Sequence, residues 1–319
     1  MRRLMKLAGV ALLALTLLGT GAGWAGWNLL HHDGPLAEPR AVVIPRGGTE
    51  AIASTLREAG VVADARIFAL AAWWTRAEGP LRAGEFPFPA QASLRAVLSI
   101  LREGRMVQRR FTIAEGLTAR QITALLERVE GLVGDVPPLA EGAALPETYA
   151  YSWGDARAAV ARRAMAAMDA ALAEAWAARA PNLPLANPRE ALILASIIER
   201  ETGVAGERAL VGGVFVNRLR RGMMLQSDPT VAYVPGQGLP LDRPLTRADL
   251  DQAHPFNTYR IRGLPPAPIA SPGREALRAA TRPAETEFLY FVADGTGGHA
   301  FARTLEEHNR NVARWRALR

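Results

Sequence analysis

The spacing of apolar residues along this chain changes twice, and each change marks a different kind of element. Residues 7–30 contain no charged side chain. An uncharged run of that length predicts a helix able to cross a bilayer. From residue 41 the apolar runs shorten. Ala41-Val42-Val43-Ile44 predicts a strand, Gly47-Gly48 a turn, and Thr49 the cap of a helix that carries Ile52 and Leu56 and stops at Gly60. Residues 108–113 are strand-like again, followed by a turn at Gly116 and a helix capped by Thr118 with Ile122, Leu125 and Leu126 on one face. Between the two, Ser93 caps a helix through Leu94, Val97, Leu98 and Leu101 that ends at Gly104. These read as small βα units of one module.

After a Gly-, Pro- and Ala-rich stretch at 131–145, the helical stripes lengthen. They cover 156–179, then 188–201, then a segment from near Glu207 carrying Leu210, Val211, Val214, Phe215 and Leu219. From Gly222 onward loops dominate. Residues 288–292 and 299–301 flank Asp294-Gly295-Thr296-Gly297-Gly298, a hairpin signature, and a last helix runs from Thr304 to Leu318. The expected fold class is α+β: an N-terminal transmembrane helix, a small βα module, and a mainly helical domain with β-hairpins. Its expected boundaries are 1–6 for a cytoplasmic N-terminus, 7–30 for the transmembrane helix and 31–40 for a linker. The module covers 41–130 and the larger domain 131–319.

One stripe ends in an acid. At about 100° per residue, Leu194, Ile197 and Ile198 share a face and Glu201 falls in the middle of it, whereas Glu199 points roughly the other way. A carboxyl at the edge of an apolar face is desolvated, which raises its pKa and keeps its protonated form near neutrality. That describes a general acid. The alternative is a polar residue in the last helical turn that reaches out to solvent.

Charge and cysteine usage narrow the classes. Arg2, Arg3 and Lys6 precede the uncharged run, so the positive-inside rule leaves Met1 in the cytoplasm and sends the remainder across the cytoplasmic membrane. A cleaved signal peptide, with small residues from Gly21 to Ala25, is the rival; its apolar region would be unusually long. Gly21-x-Gly23-x-x-Gly26 spells a dinucleotide fingerprint, but no strand precedes it, so no nucleotide cofactor is expected. Gly19 and Gly23, four apart, could pack the helix on another. The net charge is +7 and there is no cysteine. Disulfides and thiolate metal sites are therefore excluded, and without a basic run interleaved with aromatics nucleic acid is not an expected partner.

Hydrolytic triads lack their elbow motif, and His31, His32, His254, His299 and His308 have no metal-ligand spacing. No metal is expected, and His299 and His308 are read as structural. Carboxylate chemistry remains. Ordinary glycosidases use two carboxyls, and Asp228, in Ser227-Asp228-Pro229-Thr230, is the second acid to consider.

Several ordered motifs then carry a resemblance. They are Ala195-Ser196-Ile197-Ile198-Glu199-Arg200-Glu201-Thr202-Gly203, Val214-Phe215-Val216-Asn217-Arg218-Leu219, Met224-Leu225-Gln226-Ser227-Asp228-Pro229-Thr230, Asn257-Thr258-Tyr259 and Gly263-Leu264-Pro265-Pro266. With Ile269-Ala270-Ser271-Pro272-Gly273 and Tyr290-Phe291-Val292-Ala293-Asp294-Gly295, they resemble the endolytic murein transglycosylase family. Residues 41–130 resemble, more loosely, that family's LysM-like subdomain. Glu141-Gly142-Ala143-Ala144-Leu145-Pro146-Glu147-Thr148-Tyr149 departs from the family pattern, with alanines where aromatics are usual.

The resemblance implies non-hydrolytic cleavage of the β-1,4 bond between N-acetylmuramic acid and N-acetylglucosamine in peptidoglycan strands, leaving 1,6-anhydro ends. It implies catalysis by Glu201 without cofactor, glycan strands as the binding partner and peptidoglycan synthases as associates. Gln226, Asn257 and Tyr259 are the candidates for binding sugar hydroxyls and acetamides, and Glu199 is expected to make a surface or supporting contact. Two rivals stay open: a muramidase that uses water and Asp228, and a non-catalytic wall-binding scaffold.

Overall fold

The chain begins with a 30-residue helix, α1 (Arg2–His31). In the computed structural model, which describes residues 2–318 other than 237, 240 and 242, no described helix is long and apolar enough to cross a membrane. The transmembrane helix expected over 7–30 is therefore corrected: a helix forms there, but no span. The expectation rested on the absence of charge, and absence of charge is not hydrophobicity. Thr16, Gly19, Thr20, Gly21, Gly26 and Asn28 dilute the leucines of that run.

The remaining elements follow the α+β pattern. They are β1 (Arg40–Ile44), α2 (Thr49–Glu58), α3 (Ala65–Trp74), β2 (Gly84–Phe88), α4 (Leu94–Glu103), β3 (Arg109–Thr112), α5 (Ala119–Arg128) and β4 (Thr148–Tyr151). Then come α6 (Arg157–Ala177), α7 (Pro188–Glu201), α8 (Arg208–Arg220), α9 (Asp228–Gly236), α10 (Arg247–Asp251) and α11 (Arg274–Thr281). The hairpin β5 (Tyr290–Ala293) and β6 (His299–Ala302) precedes α12 (Leu305–Ala317). Two compact units result, Met1–Arg109 with Tyr151–Gly154, and Arg110–Ala150 with Asp155–Arg319.

In the first unit β1 and β2 pair antiparallel, from Arg40 opposite Phe88 to Ile44 opposite Gly84. Val42, Ile44, Phe86 and Phe88 all point inward, the period of two that a strand with one buried face imposes. They close a core with Leu56, Phe68, Leu98 and Leu101. Arg102 is buried at its rim, donating to Gly79 O at 3.0 Å, Glu78 Oε2 at 2.9 Å and Thr75 Oγ1 at 2.8 Å. Sequence pattern misses α3 and β2 for physical reasons. Ile67, Leu70, Trp73 and Trp74 lie on the exposed side of α3, so it shows no apolar-polar stripe, and β2 carries Pro87.

The second unit is built round α7. Asn187 caps it by accepting from Glu190 N at 3.0 Å, and Pro188 occupies its first turn. Ala191, Leu194, Ala195, Ser196, Ile197 and Ile198 are fully buried beneath α6, α8, α9 and α11. Such a helix is apolar on nearly all sides. α11, in a stretch the sequence reads as loop, packs against both α7 and α8. Its approach to α8, and that of the segment following it, depends on two mid-helix glycines. A Cβ on Gly212 would stand 2.5 Å from Ala279 O, and one on Gly213 would stand 2.6 Å from Ala284 O.

Gly212→Ala should therefore lower stability by about 1–3 kcal/mol, the usual cost of overpacking. Alanine's better helix propensity acts in the opposite sense. Urea unfolding measures the difference, and a variant as stable as the parent would show that this helix pair is not closely packed.

Candidate active site

Glu201 is the last residue of α7, and Thr202 closes the helix with its N–H on Ile198 O at 3.3 Å. The residue keeps part of its surface open, while its carboxyl is closely surrounded by protein. Burial is the largest influence on that carboxyl and raises its pKa from near 4.5 to about 7. The neighbouring Ser227 hydroxyl favours the ionised form, the charge of Asp228 opposes it, and the more distant Arg218 favours it again. Ser227 Oγ is itself fully buried and meets full hydrogen-bond geometry with no described group. Its influence on Glu201 is therefore one of proximity.

Two segments lie beside this acid, one of them running into the start of α9, zipped together by a pair of threonines. Thr230 Oγ1 and Thr258 Oγ1, both fully buried, lie 2.8 Å apart. Ser227 N donates to Thr258 Oγ1 at 2.9 Å and Gln226 N to Thr258 O at 3.1 Å. The motifs at 226–230 and 257–259 are thus one structural piece. Within it Tyr259 donates its hydroxyl to Asp228 Oδ1 at 2.6 Å. Burial and this bond to a carboxylate push the Tyr259 hydroxyl pKa upward, so it remains a donor. One oxygen of Asp228, the second acid considered from sequence, is thereby occupied.

Gln226 is exposed and sits at φ +51°, left-handed backbone that a glutamine seldom adopts. Asn257 lies deeper, 1% exposed. Its Nδ2 donates to Leu250 O at 3.0 Å and Gln252 O at 2.8 Å, and its Oδ1 accepts from Tyr259 N at 2.9 Å. Asn257 therefore uses its amide to hold backbone and to set the start of Tyr259. Of the three candidate sugar ligands, Gln226 precedes the Ser227 that neighbours Glu201, Tyr259 lies within electrostatic range of the acid, and Asn257 braces Tyr259.

Sequence reasoning missed Arg218. It is buried on α8, and its guanidinium donates to Leu289 O at 2.6 Å, Met224 O at 3.1 Å, Leu225 O at 2.9 Å and Gln226 Oε1 at 3.2 Å. It also lies 5.1 Å from the Tyr290 ring centroid. A signal was present: Arg218 follows Val211 and Val214 on the same helical stripe, a charge on an apolar face like Glu201.

Glu199 is not a surface contact. Its side chain is almost wholly buried, accepting from Gly273 N at 2.8 Å and from Arg208 Nη2 at 3.3 Å. Burial raises its pKa too. One oxygen, however, anchors the segment leading into α11, and the other binds Arg208 at the start of α8. Glu207 accepts from His299 N at 2.9 Å and meets His299 Nδ1 at 2.7 Å, a structural tie to the β5–β6 hairpin. Among the described residues no cluster of three His, Asp or Glu could hold a metal ion. A small cavity is lined by Thr118, Gln121, Arg200, Pro229 and Tyr233, without Glu201 among its walls.

Residues 42–314 match the sequence model of the YceG-like family. The chain belongs to that family. A protein named endolytic murein transglycosylase from Bacillus subtilis strain 168 is 44% identical over 119 residues, 37% of this chain and 32% of the relative. One of the same name from Streptococcus pneumoniae strain D39 is 29% identical over 356 aligned positions, covering 95% of this chain and 64% of the relative. This YceG-like chain thus spans between a third and two thirds of the length of those relatives. A solved yceG-like protein of Listeria monocytogenes shares the fold at TM-score 0.52 and 28% identity, over 86% of this chain and 99% of that one.

The raised pKa of Glu201 makes a signed prediction for stability. Between pH 4.5 and about 7 the folded state holds a proton that the unfolded state has lost. Stability from this group therefore falls as pH rises through that window. Glu201→Gln mimics the protonated form, so its stability advantage over the parent should grow from pH 4.5 to about 7 and then level off. Denaturant unfolding across pH measures this, and a pH-independent difference would mean the carboxyl is not desolvated.

Proposed function

We propose that this YceG-like chain is an endolytic peptidoglycan lytic transglycosylase, a lyase, with Glu201 as its single acid and base. The observation that carries the reading is a desolvated carboxyl, raised to about 7, that ends α7 beside an exposed polar surface instead of being used up internally. Curated relatives named endolytic murein transglycosylase support the reaction class and the substrate. Peptidoglycan lies outside the cytoplasmic membrane, so the second unit works on the extracytoplasmic side. The first unit we read as a LysM-like module that rests on glycan; its β1–β2 ribbon covered by α2 and α4, with α3 packed on both helices, supports a module of that kind.

In this reading protonated Glu201 gives its proton to the glycosidic oxygen as the bond to C1 of N-acetylmuramic acid breaks. The resulting carboxylate then takes the proton of the C6 hydroxyl, whose oxygen closes onto C1. The glutamate ends protonated, as it began, and no water is consumed. An intramolecular nucleophile at high effective concentration removes the need for a second carboxylate to activate water. Tyr259, with its hydroxyl given to Asp228, and Gln226 border the sugar, and Asn257 holds their loop in place.

Digestion of glycan strands followed by mass spectrometry tests the reaction. The expected products end in 1,6-anhydro sugar, one water lighter than reducing ends, and take up no label from heavy-oxygen water. Glu201→Gln should lower the rate by at least about a hundredfold, and the parent's activity should fall above about pH 7 as the acid ionises. Labelled reducing ends would indicate a muramidase, and binding without soluble product would indicate a scaffold.

A further inference from the structure

Arg218 and Gln226 together settle which end of the Gln226 carboxamide faces outward. A guanidinium has only donors, so the amide atom it meets within hydrogen-bond distance has to be the oxygen. Arg218 Nη1 and Gln226 Oε1 are 3.2 Å apart. The guanidinium cannot turn to release that oxygen, because Nε holds Leu289 O at 2.6 Å and the two N–H of Nη1, which Gln226 shares, also meet Leu225 O at 2.9 Å and Met224 O at 3.1 Å. The root of the glutamine is fixed as well, by its N–H on Thr258 O at 3.1 Å and by a left-handed φ of +51°. What remains is the Nε2 group, two N–H donors on an exposed side chain that bond to no described residue.

Such a group selects for polarity. A sugar hydroxyl can rotate to accept or to donate, so it would suit either amide orientation and gain nothing from a fixed one. A carbonyl oxygen can only accept. An amino sugar stripped of its acetyl group would set ammonium donors against amide donors, close to a buried guanidinium.

Resting on the glycan-cleaving reading above, we propose that Gln226 is a donor-only reader of the 2-acetamido carbonyl oxygen. Arg218 is the positioning residue that fixes this polarity. The site then discriminates N-acetylated glycan from de-N-acetylated glycan.

The test is binding, so it does not depend on cleavage. In full-length protein carrying Glu201→Gln, calorimetry compares a hexamer of N-acetylglucosamine with the fully deacetylated hexamer. The acetylated hexamer should bind at least about tenfold more tightly, the effect of one well-placed hydrogen bond. Gln226→Glu keeps the contact to Arg218 as an ion pair but removes both donors, and should erase or invert the preference. Arg314→Gln makes the same change in net charge on an exposed side chain of α12 and should leave the preference intact. Arg218→Lys offers a single cation in place of the fork and should weaken the preference. Equal affinity for the two hexamers, no binding of either, or a preference unchanged in Gln226→Glu overturns the proposal. Failure to form anhydro products would instead count against the proposed reaction and leave this measurement standing.

Discussion

The arrangement of the site depends on one buried cation. Arg218 sits inside the second unit, where an uncompensated guanidinium would be prohibitively costly, and burial does lower its pKa. Three backbone carbonyls and one amide oxygen meet its N–H groups. Because those oxygens belong to residues 224–226 after α8 and to the residue preceding β5, satisfying the cation ties two segments to α8 at once. Truncating Arg218 would remove the Nε–H and the two Nη1–H that these four oxygens share, so the cost would fall on the architecture of the loop. The same charge acts on Glu201 from a distance, favouring its carboxylate.

Comparison of the two glutamates of α7 shows why burial alone does not define a catalytic acid. Glu199 and Glu201 both have raised pKa values, and in both the first cause is desolvation. Their partners differ. Glu199 is bonded through one oxygen to Gly273 N and through the other to Arg208, holding the start of α11 where a Cβ on Gly273 would collide with Glu115. Glu201 has the fully buried Ser227 hydroxyl beside it and part of its surface open. One carboxyl is spent on structure and the other is available to a ligand.

Much of the framework was legible from local chemistry. Helix α7 runs over the 188–201 stretch its apolar stripe indicates, and the hairpin at 290–302 follows its glycine-rich turn. The single-stripe picture of α7 was too simple, since that helix is buried nearly all round and Glu199 is buried with it. A wheel separates faces and cannot count how many of them are covered. What sequence could not reveal were contacts between distant segments. Thr230 against Thr258, Asn257 with its amide turned onto the backbone of α10, and Arg218 against Leu289 are separated by up to 71 residues. The N-terminal span failed for a different reason: charge was counted where hydropathy was needed.

A group that must first give a proton and then take one works best when neither state is strongly preferred. Around Glu201, burial and the charge of Asp228 favour the acid, while Ser227 and Arg218 favour the base, and the balance lies near neutrality. Asp228 in this scheme need not touch the substrate's reacting atoms. Held by Tyr259, it supplies negative charge at a fixed place. Tyr259 engages one of its two carboxylate oxygens, Oδ1. In the proposed mechanism burial sets the larger part of this balance, and two oppositely charged side chains, each fixed by hydrogen bonds to other segments, act on the glutamate in opposite senses.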